Sequence, residues 1–265
     1  MQGVIPSDVK IPQGFHLVGH VVLLHLDEKL MDYAELIGKI TLEYDSRIRS
    51  VAVRIGPTYD AVRSPQYQLV AGDSDTVTLH VEREVKFCLD PLRVTFSGGN
   101  RTERMRISDI VRPGEVVLDM FACVGQFALH IAKTNETKVI AIEINPIAYD
   151  FLSRNIELNS VSNNVRAILG DCRKVSPAKV ANRIVMGYLH NTFHYLPYAI
   201  RALHRDGGTI HMHLATQKQD LMQIRNTINT YGKKAGFLAD IVSKRVKHYS
   251  PNVEHLVFDI SLSPT

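Results

Sequence analysis

Apolar and polar positions change rhythm twice along the chain. Over the first hundred residues short β-branched runs dominate, at 21–26, 50–55, 76–81 and 85–89, separated by Gly56-Pro57, Ala71-Gly72-Asp73 and Asp90-Pro91. Runs bounded in this way predict strands. Between 27 and 42 the period lengthens. Leu30, Tyr33, Ala34, Ile37 and Ile40 recur at helical spacing and predict one helix among the strands. After Pro113-Gly114, strand-like runs at 116–118, 138–142, 165–169, 183–186 and 209–213 alternate with helical stretches at 126–133, 146–158, 193–204 and 217–234. Alternation of this kind predicts a doubly wound, mostly parallel sheet covered by helices. The last two runs, 238–246 and 253–262, follow one another around Ser250-Pro251-Asn252 and predict an antiparallel hairpin at the sheet edge. The fold expected is α/β: a small α+β domain over 1–111, then the doubly wound domain over 112–265.

Composition narrows the class. Of 265 residues, 45% are hydrophobic and 22% charged, which excludes a disordered chain, a collagen-like repeat and a coiled coil. No apolar run approaches the roughly 20 residues of a membrane span; the best candidate, 18–26, contains His20 and His25. Met1-Gln2-Gly3-Val4 lacks the basic-then-apolar layout of a secretory signal. Cys88, Cys123 and Cys172 are scattered and form no CxxC pair. A soluble, cytoplasmic protein with reduced thiols is expected, with no membrane partner and no obligate protein partner. Lys and Arg number 31 against 27 Asp and Glu, a net charge of +4. That excess permits a polyanionic partner without requiring one, but the basic residues cluster. Arg93, Arg101, Arg104, Arg106 and Arg112 share one stretch, and Lys244, Arg245, Lys247 and His248 another. Each cluster is either a phosphate-binding surface or a solvated face. Trp is absent, so any base stacking falls to Tyr, Phe, His or Arg.

The candidate chemistry lies at the strand ends of the second domain. Asp119-Met120-Phe121-Ala122-Cys123-Val124-Gly125-Gln126-Phe127 leaves its first strand and opens its first helix. In an open α/β sheet the ligand crevice lies outside the carboxyl ends of the strands. Gly125 alone remains of a glycine-rich pattern, so neither a dinucleotide fingerprint nor a P-loop is present, and a nucleoside without pyrophosphate is the better ligand. Glu143 ends the second strand, where a carboxylate can accept both ribose hydroxyls. Gly170-Asp171-Cys172 ends the third. There Asp171 can accept from an adenine amino group or cap a helix, and Cys172 can offer its backbone N–H or pack as a buried thiol. Three strand-end acids in successive βα units point to S-adenosylmethionine (AdoMet), with Phe121 and Gly125 in the binding loop.

Three segments carry a family resemblance. They are Phe96-Ser97-Gly98-Gly99-Asn100-Arg101-Thr102-Glu103-Arg104-Met105-Arg106-Ile107, the loop from Asp119 to Phe127, and Glu143-Ile144-Asn145-Pro146. Together they resemble the superfamily of the archaeal and eukaryotic tRNA guanine-N1 methyltransferases and their sister enzymes of wybutosine synthesis, over essentially the whole chain. The resemblance implies a class I methyltransferase-like fold, with AdoMet as donor substrate and tRNA as partner. It also implies that Ser97 and Arg104 meet the methionine tail, a guanidinium fork suiting a carboxylate. Cys123 stands where the superfamily usually has Gly. After the fourth strand the methyltransferases carry Asn-Leu-Pro or Asn-Pro-Pro, whereas this chain has Val185-Met186-Gly187-Tyr188 followed by Leu189 and His190. That string is similar to the wybutosine aminocarboxypropyltransferases. It implies transfer of the 3-amino-3-carboxypropyl group to C7 of 4-demethylwyosine in tRNA-Phe, with Tyr188 and His190 as pocket residues near the base. The alternatives are the sister guanine-N1 methyltransferase and, in another class, a non-catalytic tRNA-binding protein, against which the intact acids argue. Arg101, Arg106, Lys244 and Arg245 are the candidate phosphate contacts. His211 with His213, and His190 with His194, have spacings that can ligate zinc. The expected central position of the fifth strand, with no Cys or carboxylate foreseen beside it, argues against a metal.

Overall fold

A computed structural model describes residues 14–265 apart from Ala61 and Asn135; Met1 to Val4 therefore lie outside the described residues. The chain divides into two compact units, residues 1–98 and 99–265.

The first unit holds β1 (His16–Val18), β2 (Val21–Leu24), a 3-10 turn (Glu28–Tyr33), α1 (Ala34–Tyr44), β3 (Ser50–Tyr59) and β4 (Ser64–Gly72). These four strands form one sheet in the order β1-β2-β3-β4. Only β2 and β3 run parallel, joined by the crossover through α1. Val22, Leu24, Val51 and Val53 pack with Leu30, Ala34 and Ile37 as its core. The predicted helix is thus real, but its first turn is a 3-10 segment started by the Asp27 carboxylate, which accepts from the Lys29 amide. β5 (Thr78–Glu82) and β6 (Val85–Leu89) form a separate hairpin. β4 escaped prediction because its burial is intermediate on both faces, leaving no two-residue alternation to detect.

The second unit begins with a helix that periodicity did not reveal, α2 (Arg101–Ile110). The boundary at Gly98 therefore lies ahead of the one expected near Val111. α2 packs within the second unit: the Ser108 hydroxyl donates to the His130 carbonyl at 3.0 Å and Ile107 is fully buried. Glu103 and Arg104 are buried with them, and this hid the apolar stripe. After it come β7 (Val116–Asp119), α3 (Ala128–Thr134), β8 (Lys138–Glu143), α4 (Pro146–Leu158), β9 (Val165–Leu169) and the single turn α5 (Cys172–Val175). The chain continues through β10 (Arg183–Met186), α6 (Leu196–Ala202), β11 (Gly208–Thr216), α7 (Leu221–Lys234), β12 (Phe237–Ser250) and β13 (Val253–Pro264). The seven strands lie in the order β12-β13-β11-β10-β7-β8-β9. Strands β7 to β11 are mutually parallel, and β13 and β12 close one edge antiparallel, as the sequence predicts. From β7 the chain winds outward through β8 to β9, then returns to place β10 on the other side of β7. The topological switch point therefore lies between β7 and β10, where a ligand crevice is expected.

Candidate active site

Two loops leave the sheet at that switch point. The loop after β7 starts at Asp119, which is fully buried. One carboxylate oxygen accepts from the Phe121 amide at 3.2 Å; Oδ2 is buried with no hydrogen-bond partner. Burial, with the Glu143 carboxylate nearby, pushes the Asp119 carboxyl up to about 7 against the hydrogen bond from Phe121. Cys123 then takes φ +51° and Gly125 φ +97°. The left-handed value at Cys123 explains why Gly is the usual superfamily residue there. At Gly125 a Cβ would also meet the Leu129 side chain at 2.7 Å.

Glu143, at the end of β8, ties this loop down. Its Oε2 accepts from the Cys123 amide at 2.6 Å and its Oε1 from the Asn145 amide at 2.7 Å. Burial raises its carboxyl, opposed by those backbone N–H groups. Each oxygen keeps a further acceptor position, so the pair fits two ribose hydroxyls. The buried, unpartnered Asp119 oxygen is suited to a cationic or hydroxyl group of the same ligand. The sequence offered Asp119 as a strand-end acid but no specific contact for it; its orphaned oxygen is visible only in three dimensions.

Asp171 takes the second of its two expected roles, the helix cap. It caps α5, and both oxygens are taken by Arg173, with Nη2 at 2.6 Å and Nε at 2.9 and 3.0 Å. Arg173 holds its carboxyl below the ordinary range. With both oxygens already accepting from Arg173, an adenine amino group would compete for Asp171 with the half-exposed Arg173 side chain. Cys172 packs in the main core with Leu118, Ile142 and Met186, and burial pushes its thiol up to about 12. Any ligand contact there falls to its backbone.

From β10 the chain passes through Gly187, where an added Cβ would sit 3.2 Å from the Phe127 ring. Tyr188 follows and stacks on Phe121, centroids 5.2 Å apart and planes 25° from parallel. Tyr195 stands edge-on to both rings and carries the Arg173 guanidinium 5.5 Å above it. His190 is exposed, and its Nε2 lies 2.9 Å from the Tyr249 hydroxyl.

Arg104, on α2, is completely buried, and its Nη1 donates to Gln126 Oε1 at 3.3 Å. Lys247 on β12 lies close by. Its ammonium is lowered by burial and by the Arg104 charge, and a Cβ on Gly99 would approach its Nζ to 2.5 Å. Ser97, half-buried, belongs to the last residues of the first unit, not to the unit carrying Arg104.

The basic candidates separate. Arg106 is not a surface cation. It makes two-point contacts with Glu103 (2.6 and 2.9 Å) and with Asp259 (2.9 Å twice), which occupies the donors a phosphate would need. Arg101 is exposed; Lys244 and Arg245 are about half exposed, 3.4 Å from Asp259 and 3.3 Å from Glu254. One expectation about the histidines is overturned, because a carboxylate does stand beside the fifth parallel strand. Register pairs His211 with Asp259 of β13, and Nδ1 lies 2.6 Å from Oδ1. Sequence could not anticipate a partner 48 residues away. Arg183 Nη1 meets His211 Nε2 at 2.8 Å, and arginine only donates. His211 is therefore neutral, with Nε2 accepting and Nδ1–H donating to Asp259, and both nitrogens are taken. Burial alone would raise the Asp259 carboxyl, but His211 and Arg106 hold it well below the carboxylate range. Among the described residues no group of three or more His, Cys, Asp or Glu side chains could hold a metal ion. No helix among them is long and apolar enough to cross a membrane.

The Asp119 titration has a testable sign. Its folded value near 7 lies above the ordinary 3.8, so the cost of its buried charge is absent below pH 4, grows toward pH 7 and is full above it. Asp119→Asn is expected to raise the melting temperature of the ligand-free protein at pH 8 by a few degrees, at about 2–4 °C per kcal/mol. The gain over wild type should shrink toward zero at pH 4–5. A gain independent of pH would show that Asp119 does not titrate in this window.

Comparison with known proteins finds two family domains in succession along the chain. Residues 1–76 match the TYW2 N-terminal domain, and residues 78–238 match the TRM5/TYW2 methyltransferase domain. A Pyrococcus horikoshii protein named tRNA(Phe) (4-demethylwyosine(37)-C(7)) aminocarboxypropyltransferase is 36% identical over 94% of this chain and 89% of its own. The tRNA (guanine(37)-N(1))-methyltransferase Trm5b of Pyrococcus abyssi is 33% identical over 98% of this chain and 78% of its own. The crystal structure of P. horikoshii TYW2 in complex with MeSAdo superposes with a TM-score of 0.84 at 32% identity, covering 96% of this chain and 92% of that one.

Proposed function

The chain belongs to the TRM5/TYW2 methyltransferase-domain family, and from that premise we propose that it transfers the 3-amino-3-carboxypropyl group of AdoMet to C7 of 4-demethylwyosine beside the anticodon of tRNA-Phe. The observation that carries the choice within the family is the segment leaving β10. Val185-Met186-Gly187-Tyr188 stands where the methyltransferases place Asn-Pro, and Tyr188 lies on Phe121 at the switch point. An aromatic face there suits a planar base, whereas an Asn would offer hydrogen bonds to a guanine edge.

In this reading the donor supplies a sulfonium with three electrophilic carbons, and the protein decides which one meets the base. Glu143 holds the ribose, the Asp119 oxygen accepts from the ligand, and the loop fixed by Glu143 through Cys123 positions the nucleoside. Arg104 holds the tail carboxylate, with Lys247 adding positive charge. A tail held in this way presents Cγ in line with C7 at about 3–3.5 Å. The C7–Cγ bond forms as the Cγ–S bond breaks. Its electron pair goes to sulfur, methylthioadenosine leaves, and the C7 proton passes to solvent water to restore aromaticity. Arg101, Lys244 and Arg245 meet phosphates; Arg106 does not.

The test is product analysis. The protein is incubated with AdoMet and tRNA bearing either guanosine or 4-demethylwyosine at the modified position, and the nucleosides are identified by mass. The expected product carries the aminocarboxypropyl group on the tricyclic base, with methylthioadenosine released in equal amount. Methylation of N1 in the guanosine tRNA would instead assign the chain to the sister activity, and tRNA binding without turnover would make it a binding protein.

A further inference from the structure

The aromatic rings at the switch point do not end at Tyr188. His190 stands edge-on to Tyr188 with centroids 6.5 Å apart, and Tyr249 stands edge-on to His190 at 5.6 Å. The file therefore runs from Phe121 in the loop after β7, through the segment after β10, to the tip of the β12–β13 hairpin. Tyr249 occupies an unusual backbone position. Its strand pairs His248 with Glu254 and Ser250 with Val253, so Tyr249 is the extra residue of a β-bulge just before the Pro251-Asn252 turn. Bulges re-aim a side chain and are frequent beside active sites. Here the re-aimed hydroxyl lies 2.9 Å from His190 Nε2, although Tyr249 remains 44% exposed and His190 is exposed as well. Holding two exposed rings in one geometry costs side-chain entropy and buries little apolar surface. It does prepare a rigid stacking face. Lys244, Arg245 and Lys247 precede Tyr249 on the same strand and place positive charge along it.

We propose that Tyr249, held by His190, is the outer wall of the nucleobase site, and that the aromatic file from Phe121 to Tyr249 receives a fused, planar tricyclic base unstacked from a tRNA loop. The inference rests on the aminocarboxypropyl-transfer reading for the identity of the base. Bases in tRNA loops are read by stacking on aromatic side chains, and chemistry on a base requires it to leave its stack. A two-ring base fills the inner part of the file at Tyr188. The third ring reaches past the edge-on His190 to Tyr249, so this pair favours the larger base.

The experiment reads binding without turnover. Affinity of the full chain is measured for tRNA carrying the tricyclic base and for the same tRNA abasic at that position, and their ratio is compared among variants. Wild type should prefer the base by about tenfold or more, the worth of one good stacking contact. Tyr249→Ala should bring the ratio close to one, with AdoMet affinity and melting temperature unchanged. Tyr249→Phe keeps the ring but loses the bond to His190, so it should recover most of the preference. His190→Gln, which retains a hydrogen-bond partner for the tyrosine, serves as a second probe should Tyr249→Ala fail to fold. A wild-type ratio near one, an unchanged ratio in Tyr249→Ala, or an equal loss for both tRNAs would overturn the proposal. The base preference and the product are read separately. A preserved preference with a methylated product would overturn the function reading alone, and the expected product with an unchanged Tyr249→Ala ratio would overturn the wall alone.

Discussion

Glu143→Ala is expected to weaken AdoMet binding by about two to four orders of magnitude while leaving the second unit folded. The carboxylate sits beneath the nucleoside loop, with one oxygen on the Cys123 amide and the other on the Asn145 amide. In the proposed complex each oxygen also accepts a ribose hydroxyl, and a hydrogen bond to a charged acceptor is worth about 1.5–3 kcal/mol. Two of them lost together correspond to roughly 10²–10⁴ in Kd. Glu143→Gln separates this account from loss of volume. The amide has the carboxylate's shape, but its NH₂ must face one of the two backbone N–H groups that the carboxylate accepts. Donor would then meet donor in a buried place. The Gln variant should therefore bind AdoMet nearly as poorly as the Ala variant, as read by calorimetry alongside melting curves. Near-normal binding by a folded Gln variant would remove Glu143 as ribose acceptor.

How much of this was legible in the sequence depended on how local the cause was. β7 to β11 and their helices follow from short-range alternation, and the terminal hairpin from two runs around Pro251-Asn252, where Asn252 takes the left-handed φ of 63°. α2 was missed because its buried face is built from Glu103, Arg104, Met105, Ile107 and Ser108, so charge occupies positions that periodicity expects to be apolar. Glu103 is satisfied locally by Arg106, but the second partner of Arg106, Asp259, lies far along the chain, and no local pattern announces it. The same long-range pairing overturned the expectation that no carboxylate lies beside His211, and it removed Arg106 from the phosphate contacts.

The site divides along similar lines. Glu143, Gly125 and Phe121 were legible because each stands at a fixed offset from a strand end. Asp171 shows the ambiguity of that rule: the same strand-end position gives an N-cap, and the arginine two residues on completes its coordination. Asp119 was visible as an acid, but not as one with a buried, unpartnered oxygen. Tyr249 was invisible, because its importance comes from a bulge that only pairing with β13 reveals.

Arg104→Lys is expected to lower the rate of aminocarboxypropyl transfer by about two orders of magnitude, with a much smaller loss of nucleoside affinity. Arg104 is wholly buried on α2, where its Nη1 donates to Gln126 Oε1, and the Lys247 ammonium lies near enough to be depressed by its charge. Two neighbouring cations favour an anion between them, and the carboxylate of the methionine tail suits that place. The planar guanidinium grips a carboxylate at two points, which fixes both its distance and its rotation; a lysine keeps the charge but holds only one point. Tail rotation is the variable that selects Cγ over the methyl carbon, and a displacement of about 1 Å from near-attack geometry can cost a hundredfold in rate. The loss should therefore fall on kcat more than on KM for AdoMet. Methylthioadenosine has no carboxylate, and its affinity should stay within a few fold of wild type. That ligand is the internal control, because a variant whose pocket had simply collapsed would bind it poorly as well. Transfer at the wild-type rate would remove Arg104 from the tail. Parallel loss of transfer and of methylthioadenosine binding would assign it to the architecture of α2 instead.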